Sequence, residues 1–375
     1  MIKTKGKPCI PAKLPIEDVD WQPLIPYIAK SNRAVALYEG ILYAVPNPNV
    51  LLSPLSTQEA VSSSKIEGTQ ATLGQVLLFE AGLEPDMQRT RDDIDEIINY
   101  RTAMEYAKIE LEKKPFNLNL LLELHEMLLN SVRGQDKSRG SFRRVQNWIG
   151  ALNSTIEEAG FIPPDPLHVR EYMENWENYY HAERPDALVQ LAVVHAQFEI
   201  IHPFLDGNGR LGRMLIPLFL YEKRILSQPV FYLSDYFESH RDEYIMALRQ
   251  IGDSASSWNA WIIFFLEAIT EQAKANTEKA RAIMDLYELL KNRVLELTHS
   301  QYAVPLLDIL FKQSIISSSD LRKKPHLPSN PTIIYLLSKL EKDGIISIVR
   351  ESSGSRPAVY ALKELINICE GKNIL

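Results

Sequence analysis

One stretch constrains this chain more than any other: His202-Pro203-Phe204-Leu205-Asp206-Gly207-Asn208-Gly209-Arg210-Leu211-Gly212-Arg213. Gly207, Asn208 and Gly209 let the backbone turn so that successive N–H groups face an anion, and the helix that starts there adds its positive end. Arg210 and Arg213 stand at i and i+3 on one face of that helix. Leu211, Met214, Leu215 and Leu218 fill another face, which turns the arginines towards the loop and away from the core. Phe204 anchors the loop from below. His202 can take a proton near neutral pH, and Asp206 is a hard oxygen ligand suited to Mg2+ beside nucleotide phosphates. The pattern predicts a phosphate-handling site on a turn and a helix. It is not a P-loop, since G-x-x-x-x-G-K-[ST] is absent and no buried strand precedes the glycines.

The 375 residues suffice for two or three domains with a substantial core, and 45% hydrophobic with 24% charged residues is ordinary for a globular protein. A net charge of -7 argues against a surface generally coated with nucleic acid. Cys9 and Cys369 lie near opposite ends without C-x-x-C spacing, which predicts neither a disulfide framework nor a zinc site and fits a reducing cytoplasm. Met1 to Pro8 is basic, but no apolar run follows it and none later approaches a membrane span, so an unprocessed, cytoplasmic protein with no membrane partner is expected.

Along the chain, Pro8, Pro11, Pro15, Pro23 and Pro26 predict an extended arm over residues 1 to 30. From Ser31, the spacing of Ala34, Leu37, Tyr38, Ile41 and Leu42 predicts a helix ending before Pro46. Ser56-Thr57-Gln58-Glu59 has the form of a capping box and Gly68 of a stop, predicting a helix from about Thr57 to Glu67. Ser63 and Glu67 share one face of it. Glu67 falls in the last turn, where the helix dipole disfavours a carboxylate unless a cation is near, so a basic partner is expected. Residues 91 to 133 predict two or three helices with Ile94, Ile97, Ile98, Leu121, Leu124 and Leu128 inward, and with Glu96 and His125 at the surface or core edge. Gly134 to Gly140 is a polar loop. Asn147 to Gly150 and Gly160 to Pro164 bracket a polar excursion and predict a β-hairpin. Ala187 to Ile201 is a buried helix that delivers His202, with His195 as a satisfied core histidine. Trp258, Trp261, Ile262, Phe265 and Ile269 start a long helix that continues with breaks towards Leu297. The tail predicts three helices, at Leu306 to Leu310, Ser319 to Leu321 and Asn330 to Leu340, then a hairpin turning at Ser352 to Ser355.

The twelve-residue stretch resembles the signature of Fic-domain proteins, H-P-F-x-[D/E]-G-N-G-R-x-x-R, at every fixed position. The likeness extends upstream through His195-Ala196-Gln197-Phe198-Glu199 and Arg143 to Gly150, and downstream to Pro229 to Ser234. Ser63-Ser64-Lys65-Ile66-Glu67-Gly68 resembles the family's inhibitory motif, [S/T]-x-x-x-E-[G/N], whose glutamate pairs with the second signature arginine, here Arg213. The segment from about Ile149 to Pro163 resembles the Fic flap, which holds a target by strand addition. Tyr236 and Tyr244 resemble family positions near the nucleotide base. The tail resembles a winged helix.

What the resemblance implies is a mainly α protein, a Fic-fold helical core with a β-hairpin flap plus a small C-terminal winged-helix α+β domain. Its expected divisions are 1–110 (arm and helical region with the inhibitory helix), 111–275 (Fic core), 276–302 (linking helix) and 303–375 (winged helix). The implied activity is protein adenylylation: AMP moves from ATP to a hydroxyl on a target protein. His202 is then the base, Asp206 the Mg2+ ligand, and Gly207, Asn208, Gly209, Arg210 and Arg213 the nucleotide-binding residues, with Ser63 and Glu67 inhibitory. Self-modification and a homodimer stay open. Two other readings stay open as well, removal of AMP from modified proteins and a DNA-binding regulator with a nucleotide-sensing core. Residues 301–375 carry ten Lys+Arg against seven Asp+Glu, a balance of +3, which supports DNA binding only weakly.

Overall fold

The computed structural model describes residues 7–17, 19–130, 137–150, 155–251, 257–354 and 356–371. The expected basic start, the loop at Gly134, the tip of the flap and Ser355 of the terminal turn lie partly or wholly outside them. The fold is mainly helical with one small antiparallel sheet. Its residues form two compact units, 1–39 with 62–68 and 99–274, and 40–61 with 69–98 and 275–375.

Helix α1 spans Ile25–Ala44, earlier than the expected start at Ser31. Pro26 belongs to its first turn, where a missing N–H costs nothing, and not to an extended arm. Leu37 points outward, at 56% exposure, while Ala34, Val35, Tyr38 and Leu42 are buried. After the short α2 (Pro48–Leu51), α3 runs Ser53–Ile66. It begins four residues before the expected start at Thr57 because Pro54 is tolerated in a first turn, so Thr57, Gln58 and Glu59 are buried within the helix. Thr72 and Gln75 form a true capping box ahead of α4 (Leu73–Glu80). Helices α5 (Gln88–Leu111) and α6 (Leu118–Leu128) follow, the latter capped by the Asn117 side chain on the Leu120 N–H.

In the first unit, α8 (Ala187–Ile201) is buried on every face against α7 (Val169–His181) and α9 (Asn208–Glu222). Asp186 caps it by accepting from the N–H groups of Leu188 and Val189 at 3.0 and 2.9 Å. Apart from Gln190, His195, Gln197 and Glu199 the helix is apolar all round, so polarity does little to choose its rotation, and two tryptophans supply direction. Trp176 donates to the Val194 carbonyl and Trp261 to that of Ala192, both at 2.8 Å. Helices α10 (Ser234–Ser239) and α11 (Arg241–Gln250) close this unit, together with the first part of α12. Helix α12 is one unbroken helix, Ser257–Thr298, where breaks were expected. No Pro or Gly interrupts it, and buried residues continue from Trp261 to Val294.

The expected flap hairpin is, among the described residues, a single antiparallel bridge between Ile149 and Phe161, with N–H to O distances of 2.8 and 3.1 Å in the two directions. In the second unit α13 (Ala303–Lys312), β1 (Ile315–Ser317), α14 (Ser318–Arg322), α15 (Asn330–Lys342), β2 (Ser347–Arg350), β3 (Val359–Ala361) and α16 (Lys363–Glu370) complete the chain. The sheet order is β1-β3-β2, both pairs antiparallel, so Ala361 pairs with Ile315 on one side and Ser347 on the other. This part packs within the same unit on α2 and α4, and Glu370 accepts from the Leu73 N–H at 3.2 Å.

Candidate active site

Helix α8 ends at His202, whose left-handed backbone (φ 48°) caps the helix and turns the chain into the loop. Its N–H still reaches the Phe198 carbonyl at 2.9 Å. Pro203 then prevents any further helix. The loop is closed by Asn208, whose side chain accepts from the Phe204 N–H and donates to the Phe204 carbonyl, each at 2.9 Å. The Asn208 side chain is therefore spent on the loop, and only its backbone N–H faces the start of α9. Asp206 accepts from the Gly207 N–H at 2.6 Å and lies 3.5 Å from Arg210.

Gly207 caps α9 in the left-handed region (φ 79°), and a Cβ there would press on Leu128 and Leu129 at 3.4 Å. Gly207→Ala is expected to lower stability by about 1–2 kcal/mol from the backbone alone. A drop in Tm of the order of 2–4 °C would record it.

His125 holds the loop from α6. It accepts from the Gly140 N–H on Nδ1 (3.0 Å) and must then donate from Nε2 to the Asp206 carbonyl (3.1 Å), a tautomer assigned by these partners. Its ring stacks on Phe204 at 3.8 Å. It is fully buried, not at the core edge. The signal was present in the sequence, because Leu121, Leu124, His125 and Leu128 form one helical stripe. Burial lowers its pKa to about 4. His195 is the expected satisfied core histidine: Nδ1 donates to the Gly212 carbonyl at 3.1 Å and Nε2 accepts from Tyr244 at 2.9 Å. Burial takes its pKa to about 3. Tyr244 is committed to this core contact, and Tyr236 stacks on His240 at 4.1 Å.

Glu67 stands one residue beyond α3 and meets a cation. Arg213, buried on α9, donates to Glu67 Oε1 at 2.7 Å, to the Ser63 carbonyl at 2.8 Å and to Ser63 Oγ at 3.0 Å. A Cβ added to Gly209 would overlap Glu67 Oε1, so this carboxylate rests directly on the glycine backbone in the first turn of α9. It occupies the position a helix N-terminus offers to an anion. Burial pushes its pKa up, but Arg213, then Arg210 and His202, more than offset that, and the group is held below its usual value. Arg241 braces the end of α3 by donating to the Ile66 carbonyl at 3.3 Å.

Glu199 lies one turn before His202 and was not assigned a role from the sequence. It is buried, its Oε1 has no hydrogen-bond partner, and it sits against the Gly212 backbone. Burial raises its pKa to about 7, opposed by Arg213 and aided by the Glu67 charge. His202 itself has a pKa lowered to about 4, chiefly by burial and then by Arg143, so its imidazole is neutral at neutral pH. Its Nδ1 is buried without a hydrogen-bond partner, which leaves Nε2 as the ring nitrogen for an incoming group.

The Glu67 carboxylate, a neutral imidazole and two arginines of α9 thus meet where the loop passes into a helix N-terminus. Residues 115–220 match the model of the Fic/DOC family and residues 25–108 that of the Fic/DOC family N-terminal region; the chain belongs to the Fic/DOC family. It is 32% identical over 164 residues to the protein adenylyltransferase Fic of Drosophila grimshawi, covering 42% of this chain and 32% of that protein. The Drosophila melanogaster protein of the same name is also 32% identical, with 42% and 31% covered. The match thus spans about a third of those relatives. Among solved structures, a Fic family protein from Desulfovibrio desulfuricans shares the fold with a TM-score of 0.58 at 20% identity, over 92% of this chain and 97% of that one. Fic-1 from C. elegans does so with a TM-score of 0.54 at 18% identity, over 70% and 74%.

Proposed function

We propose that this chain is a protein adenylyltransferase that transfers AMP from ATP to a Tyr, Ser or Thr hydroxyl of a target protein, and that Glu67 restrains it. The observation that carries the reading is the seat of Glu67: an anion on Gly209 at the positive end of α9, clasped by Arg213, stands where a phosphate of ATP would be bound. The names of the Drosophila relatives support the same activity.

In this reading the hydroxyl oxygen forms a bond to the α-phosphorus, the bond to pyrophosphate breaks, and the hydroxyl proton passes to Nε2 of His202. The N–H groups at the start of α9 cradle phosphate oxygens, while Arg210 and Arg213 stabilise the departing charge. The target segment would pair with the flap edge near Ile149 and Phe161. Mg2+ fits the residues present. Asp206 is 43% exposed beside the anion seat, and no group of three or more potential metal ligands exists among the described residues. A single carboxylate suits a cation that takes its remaining ligands from phosphates and water. When bound, Mg2+ would neutralise phosphate charge, and Asp206 would be the residue that holds it. With a modified protein as substrate, Glu67 could instead orient a water for AMP removal, which its 42% exposure permits.

Incubation with ATP and Mg2+ followed by intact-mass measurement tests the reading, and a gain of AMP by the chain or a target is the expected result. His202→Ala is expected to cut transfer by ~10^2 to 10^4 while leaving ATP affinity nearly unchanged, because the imidazole acts on the acceptor. Transfer by this variant at wild-type speed would remove His202 from the mechanism.

A further inference from the structure

Arg143 holds the loop from outside it through several hydrogen bonds. It is 2% exposed. Its Nε donates to the His202 carbonyl at 2.9 Å, and Nη2 donates to the carbonyls of Pro164 at 2.5 Å and Ile201 at 3.4 Å. Nη1 reaches the Val145 carbonyl at 3.5 Å, and its own N–H donates to the Pro203 carbonyl at 2.9 Å. Its hydrogen-bond partners among the described residues are all carbonyl oxygens.

Burying a guanidinium without a carboxylate hydrogen-bonded to it costs several kcal/mol, and burial indeed lowers its pKa to about 10, with Asp165 the opposing charge. A fold that needed only a brace could use a neutral amide there. Two features make the cation useful. The left-handed backbone of His202 persists only if its surroundings over-determine it, and Arg143 grips both the His202 and the Pro203 carbonyls. The same side chain ties this peptide to Pro164 at the base of the flap, beside Gln146 on the Pro163 carbonyl (2.9 Å) and Asn147 on the Phe204 carbonyl (3.0 Å).

We propose that Arg143 is a positioning residue for His202: it aims the imidazole, holds a positive charge beside it, and mechanically joins the base to the flap where a target would dock. The role rests on His202 being the base of the proposed transfer. Among the charged groups that face His202, Arg143 repels a proton, while Glu67 and Asp206 attract one. Removing the Arg143 charge therefore moves His202 towards protonation, an effect that loss of a neutral brace would not produce.

The test uses the full chain. The His202 ring signal, assigned by its loss in His202→Gln, is titrated by NMR in the wild type, Arg143→Gln and Arg143→Lys. AMP incorporation from α-labelled ATP into the chain itself is measured for the same changes in a Glu67→Gly background. Arg143→Gln is expected to take up the His202 proton at higher pH than the wild type, with kcat reduced ~10^2-fold and the ATP KM unchanged, as for a displacement near 1 Å. Arg143→Lys keeps the charge but cannot span the four carbonyls its guanidinium reaches, so kcat should fall by a similar factor while the titration stays in place. A folded Arg143→Gln with an unmoved His202 titration overturns the proposal. So does Arg143→Lys with undiminished kcat, which decides the matter if the Gln variant does not fold. If the wild type and Glu67→Gly transfer no AMP, the proposed function fails, and the titration still judges Arg143.

Discussion

Glu67→Gly is expected to raise the initial rate of AMP transfer by about two orders of magnitude, the scale of relieving a misplacement of ~1 Å at a reacting centre. The cause is competition for one position. Glu67 Oε1 rests on the Gly209 backbone and takes a charge-assisted hydrogen bond of 2.7 Å from Arg213. In the proposed reading a triphosphate needs both the seat and the arginine, so with Glu67 in place ATP would bind with its phosphates displaced and its α-phosphorus turned from in-line attack. Arg213→Ala in the Glu67→Gly background should return the rate to near zero, because the freed arginine is what the triphosphate uses. Arg213 also holds Ser63 through two bonds, so that variant should be checked for an unchanged melt. Equal rates for wild type and Glu67→Gly would sink the restraint by Glu67. A slower Glu67→Gly on a pre-modified target would favour AMP removal instead.

The second large effect is on stability against acid. His125, His195 and His202 are buried neutral, with pKa values of about 4, 3 and 4 against an unfolded value near 6.5. A histidine whose folded pKa is depressed binds its proton more readily when unfolded. Its contribution is complete above the unfolded pKa and is lost as pH falls from about 6.5 towards the folded values. Glu199 acts in the opposite sense, since its folded value of about 7 lies above the unfolded one and favours folding as pH falls from 7 to 4.5. It cancels about one histidine over that window. Two protons remain, so stability should fall by ~2.7 kcal/mol per pH unit between about pH 6 and pH 5. Glu67, held below its usual value, adds loss of the same sign further into acid. Over the two pH units from 6 to 4 this removes about 5 kcal/mol, a large part of a total stability of about 5–15 kcal/mol, so a clear fall in Tm across that window is expected. A Tm that stays flat from pH 7 to pH 5 would show that these histidines are not buried neutral.

The sequence by itself determined the parts whose cause is local. Proline and glycine positions set where α8 ends and α9 begins, the twelve-residue stretch brought His202, Asp206 and the two arginines together, and the Glu67 carboxylate at the end of α3 announced a cation partner before any was seen. Helix starts at Ile25 and Ser53 were missed because Pro26 and Pro54 look like breakers but sit where a helix tolerates them. Only tertiary structure decided which side chains serve the loop from a distance. His125 and Gly140 lie 15 residues apart, Arg143 and His202 59, and Ser63 and Arg213 150. Backbone carbonyls and N–H groups carry no residue identity, so a side chain that satisfies them leaves no pattern of its own in the sequence. Arg143 and Glu199 differ from ordinary surface charges only in being buried, and burial is a property of the packed chain.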